Sequence, residues 1–236
     1  MSLKISRVAI GASIALFAGG INAATLDFTI PSGGFIVQSQ SNAAGTAPPN
    51  FVGGGITSEA GLQGLIIDAD GENLDVQIVN NGVGFVYFDA DSGGKPGGLG
   101  ACRVLDANAQ CVPNSDDNLT IGTGEQIFMD FRTDFSGLTN AFLGDFTFRD
   151  DNHNLIGTGG SAGSIVVNHD GGSTAISIVN GIGDLSVIGA TSFIEFTDEG
   201  DQNYYISGAN ITAVPVPAAV WLMGSALGLL GWMRRK

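Results

Sequence analysis

The sequence predicts an all-β fold, an antiparallel β-sandwich or jelly roll, carrying an N-terminal signal peptide and a single C-terminal transmembrane helix. Three observations predict it. Short runs of alternating apolar and polar residues recur from Thr25 to Thr212, at the spacing of antiparallel strands. No stretch of that body carries the 3.6-residue period of an amphipathic helix. Glycine, 37 of 236 residues, punctuates the runs together with Asn, Asp and Ser.

The first element is a leader. Lys4 and Arg7 precede Val8–Gly20, an uncharged apolar run, and INAAT then offers small residues for cleavage, most simply after Ala23. The run is too short to cross a hydrocarbon core of roughly 30 Å comfortably. Residues 1–23 therefore read as a secretory signal peptide passing through the Sec translocon, residues 24–213 as an ectodomain, and residues 214–236 as a separate tail.

Within the ectodomain, TLDFTI (Thr25–Ile30) sets Leu, Phe and Ile against Thr, Asp and Thr. GFIVQ, GLIID, LDVQIVN and VGFVYFDA follow, with Asn80-Asn81-Gly82 as the turn between the last two. EQIFMDF sets Gln126, Phe128 and Asp130 against Ile127, Met129 and Phe131. FLGDFTFRD places Phe142, Phe146 and Phe148 on one face, and SIVVN, TAISIVN, DLSVIG, SFIEFTD and NYYISGANIT complete the series. Ser39–Gly55 and Gly157–Gly163 read as long surface loops, and neither is a linker between independent domains.

The charges are unevenly placed. All 23 acidic residues lie between Ala24 and Ala213, where only Lys95, Arg103, Arg132 and Arg149 oppose them, so the body carries −19 against −14 for the chain. Nucleic acid and anionic lipid surfaces repel such a body, and nucleic-acid binding is excluded.

Export fixes the redox setting. Cys102 and Cys111 are the only cysteines, and outside the cytoplasm they are expected to form a disulfide. Closing a loop of about ten residues stabilises by roughly 2.5–3 kcal/mol in the chain-entropy model.

The densest polar region runs from Phe88 to Thr120. It offers Asp89, Asp91, Asp116 and Asp117, and a second cluster at the end of a strand offers Asp150, Asp151 and His153. Calcium takes six to eight oxygens from such side chains. Two readings stay open: a calcium site shared by Asp89, Asp91, Asp116, Asp117, Asp150 and Asp151, or solvated acidic loops. Neither DADSGGKPGGLG nor DADGENLDVQIV matches an EF-hand, because their twelfth residues are Gly100 and Val79.

Catalytic motifs are lacking. GGSAG satisfies the GxSxG pattern around Ser161, but it leads into a strand, whereas a nucleophile elbow needs a strand-to-helix turn. No HExxH or P-loop occurs, and two histidines cannot build a multi-histidine metal site. Carboxylate pairs acting on sugars meet in space rather than along the chain, so a secreted polysaccharide-acting enzyme, a glycosidase or lyase, stays as the alternative function. Tyr87, Phe88, Tyr204 and Tyr205 lie at strand ends, and one ring of each pair is expected to face outward, where it could stack on a sugar.

The tail reads VPVPAAVWLMGSALGLLGWMRRK. Ala218–Met233 is uncharged and would form a helix about 24 Å long, near the membrane thickness, with Arg234, Arg235 and Lys236 held on the cytoplasmic side. A proline motif, a short apolar helix and a terminal arginine cluster resemble the PEP-CTERM sorting signal of Gram-negative bacteria. The resemblance rests on Val214, Pro215, Pro217, Ala218, Ala219, Trp221, Arg234 and Arg235, in a VPxPAAxWL variant with Val216 in place of the family's glutamate. It implies an exosortase-type processing enzyme as partner, transient residence in the inner membrane, and delivery to the cell surface or exopolysaccharide matrix. The run YFDADSGGKPGGLGACRVLDANAQC is also similar to ectodomains that carry this tail. The expected function is a non-enzymatic envelope or matrix protein binding polysaccharide or surface partners.

Overall fold

The computed structural model describes residues 23–29, 36–41, 51–52, 55–56, 60–62, 64–68, 74–82, 84–89, 95, 97–108, 110–113, 117–133, 137–159 and 162–213. Residues 1–22 of the expected signal peptide (1–23) and the expected sorting tail from Val214 onward, including Pro215, Pro217, Ala218, Ala219, Trp221, Arg234 and Arg235, lie outside the described residues. Among the described residues no helix is long and apolar enough to cross a membrane.

Strand follows strand along the chain. The first group is β1 (Ala23–Asp27), β2 (Ile36–Ser41), β3 (Phe51–Val52), β4 (Gly55–Ile56), β5 (Ala60–Leu62) and β6 (Gly64–Asp68). Next come β7 (Asp75–Asn80), β8 (Phe85–Asp89), β9 (Gly98–Cys102), β10 (Gln126–Thr133), β11 (Gly137–Leu138) and β12 (Ala141–Arg149). The last are β13 (Gly163–His169), β14 (Gly172–Val179), β15 (Ile182–Asp184), β16 (Ala190–Thr191), β17 (Phe193–Gly200) and β18 (Tyr205–Ala213).

The all-β, antiparallel character is as expected, but the division into two packed sheets is corrected. One sheet runs β2-β6-β7-β10-β17-β13-β14-β15-β12-β18-β9-β8-β5, with β1 on β18, β11 on β10 and β16 on β12. It curls toward closure like a barrel: Asn80 Nδ2 at the end of β7 donates to the carbonyl of Phe85 in β8 at 3.3 Å. Continuity depends on two short strands. β15 pairs with β14 (Ile178↔Gly183) and with β12 (Phe146↔Gly183), joining what would otherwise be separate halves. Gly183 is needed at this corner, since a Cβ there would sit 2.9 Å from the Phe148 ring. Asn180-Gly181, with φ of 52° and 81°, makes the tight turn between β14 and β15, as expected for the Asn-Gly pair that hairpin turns favour. β9 supplies the second join, with Leu99 opposite Ile206 of β18.

The core lies inside the curl. Phe146 and Phe148 of β12 pack against Phe196 at centroid distances of 5.6 and 6.0 Å, and Tyr204 meets Phe148 at 5.9 Å. Phe28 packs on Phe88 at 6.3 Å. Each such ring contributes about 1.5–3 kcal/mol by leaving water. Ile127, Met129 and Phe131 of β10 are wholly buried, so that strand keeps the alternation its sequence shows.

β12 does not. Phe142 is 47% exposed while Leu143 is buried, because a register shift between Leu143 and Phe146 inserts a bulge at Gly144-Asp145 and reverses the side-chain phase. The expected strand DLSVIG is also corrected. Asp184 Oδ1 accepts the backbone N–H of Ser186 at 2.9 Å, which turns the chain into a 3₁₀ segment at Ser186–Ile188.

β1 and β18, the terminal strands, pair antiparallel from Ala23↔Thr212 to Asp27↔Gly208. The first and last described strands therefore lie side by side.

Candidate functional site

Two loops converge on the outer side of β8, β9 and the start of β18, and they bring some of the predicted acidic residues together. Asp89 ends β8, and its Oδ2 lies 2.6 Å from His153 Nε2 in the turn after β12. His153 Nδ1 lies 2.9 Å from the Lys95 carbonyl, which can only accept, so that nitrogen carries a hydrogen. The imidazole meets the Tyr205 ring edge-on at 5.1 Å, and the Tyr205 hydroxyl donates to Asp117 Oδ1. Asp89, Asp117, His153 and Tyr205 are all buried.

Local chemistry explains why each group is held there. His153 adopts φ 59°, a left-handed conformation, and Arg149 Nη1 donates to its carbonyl at 2.9 Å. Leu119 and Tyr204 exchange backbone hydrogen bonds at 2.9 and 3.2 Å, which straps Asp117 onto the start of β18. Glycines allow the close approach. A Cβ on Gly100 would lie 2.1 Å from the Asp117 carbonyl, and one on Gly97 would lie 2.7 Å from Asp89 Oδ2.

Asp150 and Asp151 do not join the cluster. Asp150 Oδ1 accepts the backbone N–H groups of Asn152 and Asn154 at 2.9 and 2.8 Å, and Asp151 accepts from the Asn152 amide at 2.9 Å. Both shape their own turn. Asp91 and Asp116 lie outside the described residues, as does Ser161. Among the described residues no three His, Cys, Asp or Glu side chains are arranged to hold a metal ion. His153, which FRDDNHN offers alongside Asp150 and Asp151, is the member of that second cluster that reaches the first.

The four aromatic residues expected to offer outward rings are corrected too: Tyr87, Phe88, Tyr204 and Tyr205 are at most 1% exposed. Alternation does send Tyr87 and Tyr205 to the outer side, but loops cover them there. Tyr87 packs with the Cys102–Cys111 disulfide and Leu105 beneath the 103–111 loop. The cysteines are bonded as expected, with Cα atoms 5.8 Å apart. Glu125, also wholly buried, accepts the Thr120 N–H at 2.8 Å and faces Arg103 at 3.7 Å.

Burial pushes the Tyr205 hydroxyl well above its ordinary range, and the negative charges of Asp117 and Asp89 add to the effect. Burial does the same to Tyr204. Both phenols are thus harder to ionise folded than unfolded, so their contribution is complete below the unfolded value near 10.0 and declines as pH rises above it. The melting temperature is expected to fall steeply above pH 10, and Tyr205→Phe to make that alkaline decline shallower. A thermal-melt series from pH 8 to 11.5 on both proteins measures it; parallel curves would contradict the assignment.

A separate shallow groove of about 290 Å³ lies on the outer face of β1, β18 and β12. Asp27, Asp145, Arg149 and Asn210 line it. Some of its polar groups pair with one another: Thr25 Oγ1 donates to Asn210 at 2.9 Å, and Asp27 accepts from Thr29 N–H at 2.9 Å.

Chemically, the Asp89–His153 cluster is suited to holding loops together. Both imidazole nitrogens are engaged and the carboxylates are buried. Comparison with known proteins finds no match among family models, curated proteins or solved structures.

Proposed function

We propose that the chain is an exported, non-enzymatic protein of the envelope or extracellular matrix of a Gram-negative bacterium. The Sec translocon exports it, and a PEP-CTERM-type tail, recognised in the inner membrane by an exosortase-type enzyme, delivers it to the cell surface or matrix. There its acidic body binds polysaccharide or neighbouring surface components. The observation that carries the reading is the pair of basic, apolar end segments around a body of charge −19. The sheet supports it: its terminal strands β1 and β18 lie side by side between Ala23 and Ala213, so a body freed at both ends keeps every described strand except the first residue of β1. The disulfide is compatible with an oxidising compartment. The engagement of Asp89, Asp117 and His153 with one another and with loop backbone favours binding over catalysis.

Deleting residues 214–236 tests the delivery. The intact chain is expected in the surface or matrix fraction of its host, and the shortened chain in the periplasm. Identical distributions would contradict a sorting role for the tail, and release of reducing ends from polysaccharide by the purified protein would contradict the non-enzymatic reading.

A further inference from the structure

We infer that the outer face of β7, β10, β17 and β13 is a docking platform for a pyranose ring of a non-acidic polysaccharide, built on Phe128, Phe193 and Glu195. The inference rests on the glycan-binding reading above and gives it a site. Strand register builds the platform. Val79, Phe128, Glu195, Asn168 and Ser173 stand in one row across five strands, and Gln77, Asp130 and Phe193 in the next. Their sequence neighbours Ile127, Met129, Ile194 and Phe196 fill the core, so this row faces outward.

Phe128 and Phe193 remain half-buried on that face, stacked at 5.2 Å with 24° between their planes. Stacked on each other, they leave an apolar patch amid polar neighbours. Beside it, Glu195 Oε1 accepts from Asn81 Nδ2 and Oε2 from Asn168 Nδ2, both at 2.8 Å. Asn168 is itself oriented by Ser173 Oγ, which donates to its Oδ1 at 2.5 Å. A carboxylate offers about four lone-pair sites, so two amides fix its direction and leave acceptor capacity for ligand hydroxyls. An apolar patch edged by a preset acceptor matches a pyranose ring, whose C–H face lies against the apolar side while its rim of hydroxyls donates.

Charge selects the class of glycan. Glu195 and Asp130 share this face, and the body carries −19. Uronate or sulfated polymers are repelled, whereas neutral and amino-sugar polymers are not. The groove between β1 and β12 is the weaker candidate, because no aromatic ring lines it.

The test is affinity electrophoresis of the protein recovered from its host, in gels containing a neutral glucan, a chitosan-type polymer or a polyuronate. The wild-type protein is expected to be retarded by the neutral or amino-sugar polymer and not by the polyuronate. Phe128→Leu and Phe193→Leu should each weaken binding by roughly tenfold. Phe128→Tyr, which keeps the ring, should retain the wild-type binding. Melting temperatures of all variants verify folding. Wild-type binding that the leucine variants and Glu195→Gln leave unchanged would overturn the site while sparing the glycan reading. Failure of the wild type to bind any polymer would remove the glycan reading itself, and preference for the polyuronate would overturn the charge argument.

Discussion

His153→Asn is expected to lower the melting temperature by roughly 6–12 °C, from a loss of about 3 kcal/mol. The substitution removes the imidazole from a contact in which both partners are buried, His153 at 5% and Asp89 at 4% exposure. Desolvating a carboxylate is costly unless a partner compensates, so deleting that partner costs more than the pair's net worth. Asparagine is chosen because it tolerates the left-handed φ of 59° at this position, which separates loss of the contact from backbone strain. Asp89→Asn and the double variant complete a cycle. Coupling above about 1 kcal/mol is expected for groups in direct contact. Additive single effects would show that the two side chains do not depend on each other.

Replacing Cys102 and Cys111 by serine together should cost about 2.5–3 kcal/mol, or roughly 5–12 °C in melting temperature. The bond closes the loop that covers Tyr87, and that loop reaches Glu125 through Arg103 at 3.7 Å. Losing it enlarges the unfolded ensemble and loosens the cover over Tyr87. A reductant should lower the melting temperature of the wild-type protein and leave the serine variant unchanged. An equal response in both would show that the disulfide is not the source of the difference.

The strands were legible wherever one face meets the core and the other meets water. β10 is such a strand, and its sequence already put Phe128 on the polar side with Gln126 and Asp130. That position is where the inferred platform lies. Legibility failed for three physical reasons. A bulge at Gly144-Asp145 shifts the phase of β12, and no periodicity in FLGDFTFRD announces it. β9, GLGAC, is buried on both sides, so it shows no alternation and reads as part of a polar loop. The closure of one sheet depends on β15, three residues long, whose only local sign is the Asn180-Gly181 turn before it.

The candidate site was half legible. Asp89 and Asp117 come together as their density in one region implied, and His153 arrives from the second acidic segment. Composition alone could not indicate that Asp150 and Asp151 would serve their own turn through backbone N–H groups. Nor could alternation foresee that loops would cover the outward rings of Tyr87 and Tyr205, because coverage depends on long-range folding of the 103–120 segment.

The central claim, export with removal of both ends, is tested most directly by the intact mass of the mature protein from its native host. The account predicts a chain that begins at Ala24, lacks the segment C-terminal to a cut near Val214–Pro217, and is two hydrogens lighter for the Cys102–Cys111 bond. A mass that retains Trp221 through Lys236 would contradict it and make the chain a membrane-anchored protein instead.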